Sequence, residues 1–184
     1  MKPDFKPTKV SQIEISQLML PSHSNFSGKI HGGHILSMMD QVAFACASKH
    51  SGEYCVTASV DRVEFRTPIE VGELVTMKAQ VNYVGRTSMV VGIRVEAENI
   101  QTGEVKHSNS SYFTMVAKDA SGKTVPVPGL IVADKHDVRR FLRSARRMES
   151  IKHRRMEFGK DTHEEFIVEN YLEELKKFRL KLEL

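Results

Sequence analysis

The clearest pattern in the chain is a run of apolar residues between Gly32 and Gly52 that covers every side of a helix. Its apolar members are Ile35, Leu36, Met38, Met39, Val42, Ala43, Phe44, Ala45, Cys46 and Ala47. A helix without a polar face is usually buried on all sides. We therefore expect a buried central helix that begins at Gly32-Gly33 and ends near His50, with Gly52 as its left-handed terminating residue.

Alternating apolar and polar residues predict the strands. Residues 12–20 form a short strand before the helix, and four longer patterns follow it with no second helix between them. A change of phase near Asp61-Arg62 predicts a β-bulge in the first of the four. The expected fold class is α+β, with a long, bent antiparallel sheet wrapped around the central helix. The four patterns cover residues 54–65, 75–83, 89–97 and 104–118.

Composition divides the chain into three segments. Residues 1–11 are polar and contain Pro3 and Pro7, which predicts a loose N-terminal arm. Residues 12–130 carry the helix and the sheet. Pro126 and Pro128 mark the boundary to a basic, amphipathic helical extension, residues 131–184.

The extension combines positive charge with apolar stripes. From Lys135 to Arg155 its net charge is +7, and a second amphipathic segment begins at Asp161. The stripes predict that these helices pack on the core or between subunits. The first stripe consists of Val138, Leu142, Ala145 and Met148, with Phe141 beside it.

Bulk properties bound the class of protein. With 184 residues and 40% hydrophobic content, the chain can bury a core in one domain. Cys46 and Cys55 are too few for a disulfide framework and suggest a reducing compartment. The first residues contain no apolar signal segment, and no apolar run is long enough to span a membrane. We expect a soluble, cytoplasmic protein.

The apolar helix contains one acid, Asp40, and begins at two glycines. Free N–H groups at a helix start around Gly33 and His34 can stabilise an oxyanion, and an acid nearby can activate water. On the residues alone, Asp40 is equally compatible with a structural acid that pairs with an arginine or caps a backbone group. His31 and His34 have a spacing that could share a metal, but no third ligand is evident, so no metal site is predicted.

Several motifs occur in the same order as in the acyl-CoA thioesterases of the hotdog fold. The chain resembles this family over roughly residues 12–130, and within it the brain-type cytosolic acyl-CoA hydrolases and their bacterial relatives. The motifs are Asn25 to Asp40 with Ile30-His31-Gly32-Gly33 and Met39-Asp40, Val56 to Asp61, Phe65 to Pro68, Val71-Gly72-Glu73, Val84 to Ser88, Phe113 to Ala117, and Val127-Pro128.

The resemblance implies a hotdog fold and hydrolysis of a fatty acyl-CoA to the free acid and CoA. The family's functional pair falls on Asn25 and Asp40, supplied by opposite hotdog units. Asp40 would act as general base on water or as nucleophile through a mixed anhydride, and Asn25 would position water or substrate. For Asn25, an ordinary turn residue remains the alternative.

The resemblance also assigns the substrate-binding residues and partners. The Arg86 turn could pair with phosphate or pantetheine, although a solvated turn is the alternative. No cofactor is implied, because the CoA thioester is the substrate. One hotdog unit per chain implies a homodimer, assembled further into a hexamer as a trimer of dimers. The substrate-binding residues are His31, Gly32, Gly33, His34, Thr57, Arg86, Thr87 and Ser88.

Other functions remain as alternatives. A hotdog scaffold could hold acyl-CoA or nucleic acid without turnover, although no aromatic residues alternate with the arginines of the extension as single-strand binding would need. A hotdog dehydratase would place its histidine and acid differently. No Gly-x-Ser-x-Gly motif indicates a serine thioesterase. Cys46 and Cys55 have apolar neighbours and are predicted to be inert.

Overall fold

A computed structural model of the protein describes residues 4–158 and Leu180. Seven strands and two long helices follow one another along this part of the chain. They are β1 (Phe5–Pro7), β2 (Ile13–Leu18), α1 (Gly32–Ser51), β3 (Tyr54–Val60), β4 (Glu73–Val84), β5 (Ser88–Asn99), β6 (Glu104–Lys118), β7 (Gly129–Ile131) and α2 (Lys135–Phe158).

The main sheet has five antiparallel strands in the order β2-β4-β5-β6-β3. Its two edges are therefore β2 and β3. The α+β arrangement expected from the alternating pattern is confirmed. A separate small sheet joins β1 and β7 in parallel, with Phe5 opposite Gly129.

Helix α1 packs on one side of the sheet and forms the core with it. Met39, Val42 and Cys46 are fully buried against alternate, apolar strand residues such as Val91 and Phe113. The predicted helix bounds are confirmed. Gly52 ends α1 with φ = 70°, a left-handed conformation that favours glycine, and its N–H donates to the Ser48 carbonyl at 2.8 Å.

The expectation that α1 is buried on every side is wrong for the single chain. Four residues about one turn apart are exposed: Gly33, Ser37, Asp40 and Phe44. Gln41, next to Asp40, is exposed as well. Phe44 is 39% exposed, and its ring meets the Tyr54 ring at a centroid distance of 5.5 Å. The curled sheet covers only one side of the helix, so an open face remains despite its apolar content. We call the row of residues 33, 37, 40, 41 and 44 the open face of α1.

The predicted bulge lies elsewhere in the strand. β3 ends at Val60, and its pairing with β6 shifts between Thr57 and Ser59 rather than near Asp61. Residues 61–67 leave the strand, although the Asp61 N–H still donates to the Tyr112 carbonyl at 2.9 Å. The change of apolar phase in the sequence thus marks the end of the strand, not a bulge within it.

The described part of the N-terminal segment is packed, not loose as its prolines suggested. After β1, residues Thr8–Ser11 form a 3-10 turn in which Thr8 and Ser11 are buried. The Ser11 hydroxyl accepts a hydrogen bond from the Val81 N–H at 3.0 Å, and the Ser11 carbonyl accepts one from the Cys46 thiol at 3.1 Å. These contacts hold the segment to both β4 and α1.

The first turns of α2 lie on the opposite side of the sheet from α1. Asp134 caps the helix, because its Oδ1 accepts hydrogen bonds from the N–H groups of His136 and Asp137 at 2.7 and 2.9 Å. One compact unit ends at Ala145, so these turns belong to the unit that contains the sheet. The functional division at residues 12–130 and 131–184 stays a prediction, and the second amphipathic segment, from Asp161, lies outside the described residues.

The predicted apolar stripe does not face the sheet. Val138 and Leu142 are 47% and 48% exposed, whereas Asp137 and Ser144 are buried and the Phe141 ring contacts the Tyr83 ring at 5.3 Å. Polar contacts determine this rotation of the helix. The Asp137 carboxylate accepts hydrogen bonds from Thr8 at 2.5 Å and from Gln80 at 2.9 Å, and Arg140 pairs with it at 3.3 Å.

A hairpin-like loop before α1 carries Asn25. The Ser24–Ile30 bridge and the ion pair of Lys29 with Glu70, at 2.6 Å, hold the loop. The rings of His23 and His34 stack at a centroid distance of 4.0 Å and connect the loop to α1. Burial and then the neighbouring His23 hold the pKa of His34 below its ordinary value.

No helix among the described residues is long and apolar enough to cross a membrane.

The Asp137 contacts yield a stability prediction. Burial raises the pKa of Asp137, but hydrogen bonds from Thr8 and Gln80 and the Arg140 guanidinium outweigh it and leave the pKa below its ordinary value. Asp137→Asn should lower the free energy of unfolding at pH 7 by about 2 kcal/mol, because the new amide N–H faces donors. Urea unfolding measures this.

The difference should shrink as the pH falls below about 4, since the wild-type carboxylate is then protonated in the unfolded chain first and its contribution is lost. Glu104→Gln, at an exposed carboxylate, is the control and should stay within about 0.5 kcal/mol of wild type. An Asp137→Asn difference that is absent at pH 7, or that grows in acid, would contradict the prediction.

The histidine stack yields a second prediction, measured by NMR titration. The pKa of His34 should lie below 6.5, and His23→Gln should raise it part of the way back, because the nearby charge is removed while burial remains. His107→Gln, on β6, is the matched control and should leave the pKa of His34 unchanged. An unshifted His34 in the wild type, or no response to His23→Gln, counts against the prediction.

Candidate active site

Asp40 lies on the open face of α1, where solvent reaches it. Its Oδ1 accepts a hydrogen bond from the Thr57 hydroxyl at 2.5 Å. Its Oδ2 accepts none from the residues that the structure describes. No arginine pairs with Asp40 in this part of the chain, so the alternative of a structural ion pair has no support. An oriented carboxylate with one oxygen open to solvent can take a proton from a water molecule or attack directly.

Thr57 holds Asp40 from the edge of the sheet. It lies opposite Met115 just before the register shift in β3, and its hydroxyl also lies 3.4 Å from the Met115 sulfur. The resemblance predicted Thr57 as a substrate-binding residue, and in the structure its hydroxyl donates to the Asp40 carboxylate. Nothing in the local pattern signals this pairing, because the two residues are 17 positions apart.

The start of α1 offers a different donor from those expected. The Gly33 N–H donates to Nδ1 of His31 at 2.9 Å, and the His34 N–H donates to the His31 carbonyl at 2.9 Å. His31 is thus the N-cap of the helix. The expectation of free N–H groups at Gly33 and His34 is wrong in this structure. The N–H of Gly32, one residue earlier, has no acceptor among the described residues.

Phe65 lies directly against the start of the helix. A Cβ at Gly32 would stand 3.3 Å from the end of the Phe65 ring, so any larger residue there would push the ring away. From the sequence, Gly32 was predicted to bind substrate, and Phe65 was part of a motif with no predicted role. The structure brings the two together, because the absent side chain of Gly32 lets the Phe65 ring, itself 49% exposed, lie against the start of the helix.

Asn25 is oriented by its own loop. Its Oδ1 accepts hydrogen bonds from the Ser27 N–H at 2.9 Å, the Ser27 hydroxyl at 2.7 Å and the Lys29 N–H at 3.2 Å. The two backbone donors settle which side-chain atom is the oxygen. Asn25 is therefore a turn residue, as one alternative proposed, yet its Nδ2 remains available as a donor, with no acceptor among the described residues.

The structure does not bring all the predicted site residues together within one chain. Asn25 lies before the helix start, while Asp40 is eight residues beyond Gly32, about 12 Å along the axis. The turn of Arg86, Thr87 and Ser88 directly precedes Met89 of β5. Met89 pairs with Met115 of β6, and Met115 pairs with Thr57 of β3. Thr87 and Ser88 pair with β6, the neighbour of β3, so they are two strand spacings, roughly 10 Å, from β3.

The other nucleophile and metal candidates have no support in this structure. Burial raises the pKa of Cys46 to about 12, which keeps its thiol protonated, and both cysteines are buried and free. Among residues 4–158 and Leu180, no three His, Cys, Asp or Glu side chains are grouped as a metal site would require.

Comparison with known proteins gives consistent matches. Residues 27–104 match the profile of the Thioesterase superfamily. Protein VdlD of Helicobacter pylori is 42% identical over 139 residues, covering 76% of this chain and 79% of that protein. An uncharacterized acyl-CoA thioester hydrolase, YkhA of Bacillus subtilis, is 32% identical over 136 residues, covering 74% and 79%.

Solved structures agree in fold. An apo-hexameric acyl-CoA thioesterase superposes with a TM-score of 0.80 at 36% identity, over 82% of this chain and 97% of that one. The acyl-CoA hydrolase of Staphylococcus aureus, in complex with butyryl-CoA, CoA and CoA disulfide, gives 0.79 at 30% identity, over 85% and 96%.

The Staphylococcus aureus hydrolase has also been solved as alanine variants of one asparagine, one aspartate and one threonine. The three substituted positions are 15 and 17 residues apart, the same intervals that separate Asn25, Asp40 and Thr57. With relatives above 30% identity over about three quarters of its length and the same fold throughout, the chain belongs to the hotdog-fold acyl-CoA thioesterases, a family of thioester hydrolases.

Proposed function

We propose that this protein hydrolyses acyl-CoA thioesters at a site shared by two subunits, with Asp40 as the reacting carboxylate. The observation that carries the proposal is the solvent-open Asp40 carboxylate held by the Thr57 hydroxyl. The identical intervals in the Staphylococcus aureus variants support the same residues.

Distance within the chain is the reason for two subunits. A thioester carbonyl must touch both the attacking water and the donors that stabilise its oxygen, at about 3 Å from each. Asp40 and Gly32 of one helix are about 12 Å apart. The donors near Asp40 would therefore come from the partner, whose helix start brings the Gly32 N–H and whose loop brings the Asn25 amide.

The open face supports such a dimer. Phe44 and Tyr54 present exposed apolar rings beside the free edge of β3, where Val60 is 45% exposed. Unpaired edges and apolar patches are the usual interfaces of homodimers. A second α1 packed against the open face would cover these groups and exclude water around Asp40. Further assembly to a hexamer is proposed from the hexameric relative.

The reaction needs only water and groups of the protein. Asp40 takes a proton from water as its oxygen adds to the carbonyl carbon, and the resulting oxyanion accepts hydrogen bonds from the partner's helix start and asparagine. When the intermediate collapses, the C–S bond breaks and the CoA thiolate takes the proton from Asp40. In the alternative route, Asp40 attacks the carbonyl carbon, releases the thiolate and leaves a mixed anhydride for water to hydrolyse. The geometry accommodates both routes.

Two further proposals concern how the protein recognises CoA and in which compartment it lies. Arg86 is exposed and Thr87 and Ser88 are half-buried, and we propose that this turn binds phosphate or pantetheine, with Thr87 and Ser88 as donors. Because it is roughly 10 Å from β3 across the sheet, it would contact a part of the substrate away from the thioester. Cytoplasmic placement stays a prediction, consistent with two free, buried cysteines.

The first test removes the reacting carboxylate. Asp40→Asn keeps the size of the side chain but cannot accept the proton, so kcat for thiol release from acyl-CoA should fall about 10²- to 10⁴-fold. A thiol reagent follows release across acyl chains up to palmitoyl. Glu104→Gln is the control and should retain full activity.

Two results would count against this proposal. An Asp40→Asn enzyme within about threefold of wild type would exclude Asp40 as the reacting group. Binding of acyl-CoA by the wild type, with no thiol release at any chain length, would instead identify a non-catalytic binding module.

The second test asks whether the site is shared. Asn25→Ala and Asp40→Asn should each be inactive, but refolding them together should restore about a quarter of wild-type activity, because mixed dimers contain one intact site. Asp40→Asn mixed with Thr57→Val is the matched control and should recover nothing, since Asp40 and Thr57 act from the same chain. No recovery in the first mixture would place Asn25 and Asp40 in the same subunit's site.

A further inference from the structure

The tip of the loop before α1 carries a phenylalanine that the proposed reaction does not use. Phe26 has a fractional exposure of 114%, the largest of the exposed apolar side chains in the described part of the chain. It directly follows Asn25, which the proposed function places in the site of the partner subunit. Aromatic side chains are enriched at the centres of protein interfaces. The position of this ring therefore suggests a contact with the partner.

The loop holds the ring in a fixed place. The four residues at its tip form a turn in which the Gly28 N–H donates to the Asn25 carbonyl at 3.0 Å, and Gly28 has φ = 76°, which favours glycine. The Asn25 N–H donates to the Lys29 carbonyl at 2.7 Å, and the Asn25 side chain accepts the hydrogen bonds from Ser27 and Lys29 described above. A side chain presented by an ordered turn loses less conformational entropy when it docks.

The shared site determines which surface lies opposite this loop, so this step rests on the proposed function. A twofold dimer brings the helix start of one subunit beside Asp40 of the other only if the two α1 helices run antiparallel. The axis then passes near Ser37, about midway between Gly33 and Asp40. Phe44 lies four residues beyond Asp40, about 6 Å further along the helix. It therefore faces the chain that precedes the partner's helix, which is the loop that carries Phe26.

Two exposed aromatic rings lie at that place. Phe44 and Tyr54 meet edge to face at a centroid distance of 5.5 Å, and both are exposed in the single chain. A third ring can join such a pair, because aromatic rings attract one another at centroid distances of about 4.5–7 Å. A membrane surface fits the loop tip less well. The tip has one apolar residue, and Lys29, the one charge of residues 25–29, pairs with Glu70 at 2.6 Å.

Strand register shows on which side of the reacting carboxylate this contact would lie. Along β6, Tyr54 pairs three positions further toward the C-terminus than Thr57, which holds that carboxylate. The Arg86 turn is bonded to β6 at the same end, because the Ala117 N–H donates to the Thr87 carbonyl at 3.0 Å. The aromatic rings and the turn proposed to bind CoA thus lie on the same side of the carboxylate.

We propose that Phe26 of each subunit packs against Phe44 and Tyr54 of the other and forms a wall of the channel for the CoA arm. The ring would contact the pantetheine next to the thioester and keep water away from it. Because every acyl-CoA has the same pantetheine, this contact would act equally on all acyl chain lengths. Phe26 is thus a substrate-binding residue that one subunit supplies to the site of the other.

A cysteine crosslink tests the contact independently of activity. In the double variant Phe26→Cys/Phe44→Cys, a short bismaleimide should link the chains into covalent dimers on a denaturing gel. Each single variant should remain unlinked, since like positions are far apart in an antiparallel pair. Ile100→Cys/Phe44→Cys is the matched control, with one cysteine at an exposed turn away from α1, and should give no dimer. Cys46 and Cys55 are buried and present in every variant.

Kinetics test the role in substrate binding. Phe26→Ala should raise KM about 10-fold, by the same factor for acetyl-CoA and palmitoyl-CoA, and leave kcat within about threefold, because binding of the shared arm is lost equally in the ground state and the transition state. Phe26→Leu should recover most of the lost affinity. Ile100→Ala should keep both constants. Thermal unfolding of each variant checks that the fold is kept.

The outcomes separate this inference from the proposed function. No crosslink in the Phe26→Cys/Phe44→Cys variant, or an equal yield from the Ile100 control, overturns the contact. If mixed Asn25→Ala and Asp40→Asn subunits still recover activity in that case, the shared site remains and only this inference fails. A crosslink in a protein that releases no thiol would leave the contact intact and reject the hydrolysis.

Two further results would overturn the role of the ring. A KM for Phe26→Ala that is unchanged, or that rises more for palmitoyl-CoA than for acetyl-CoA, would exclude a contact with the pantetheine. Binding of the wild type, but not of Phe26→Ala, to vesicles of phosphatidylcholine and phosphatidylglycerol, without the crosslink, would show that the loop tip meets a membrane instead of the partner subunit.

Discussion

The arrangement at the candidate site depends on the incomplete cover that the sheet provides for α1. Five strands bury one side of the helix through Met39, Val42 and Cys46, and the opposite side stays open with Asp40 on it. An ionised carboxylate in a closed core would cost several kcal/mol to desolvate. On an open face it remains hydrated until a partner or a substrate covers it. The same opening leaves Phe44 and Tyr54 exposed, so the surface that needs a partner is also the surface that holds the acid.

Much of the fold follows from periodicity. The helix bounds and the long strands were predictable. Ten apolar residues lie within the 20-residue segment that Gly52 ends, and the apolar residues of β4 to β6 recur with a period of two. The burial of α1 was predicted wrongly for a physical reason. Apolar residues indicate that a helix face is buried, but not whether it packs against the same chain or against another.

Polar contacts between distant segments were harder to predict than apolar packing. Val138 and Leu142 have the spacing of a core stripe, yet Asp137 faces the sheet, because Thr8 and Gln80 donate to its carboxylate. At the candidate site, the positions of Asn25 and Asp40 followed from a motif, whereas the hydrogen bond from Thr57 and the contact of Phe65 with Gly32 did not. Each of these depends on two residues that are far apart in sequence and meet only after the chain has folded.

The parallel pairing of Phe5–Pro7 with Gly129–Ile131 has a consequence for how the unit is made. During synthesis, β1 leaves the ribosome long before β7 is made. Its backbone N–H and C=O groups are therefore hydrogen-bonded to water until β7 is available. Closing so long a loop is slow, and contacts of this kind form late. We therefore expect the small sheet of β1 and β7 to form only after the rest of the unit has folded.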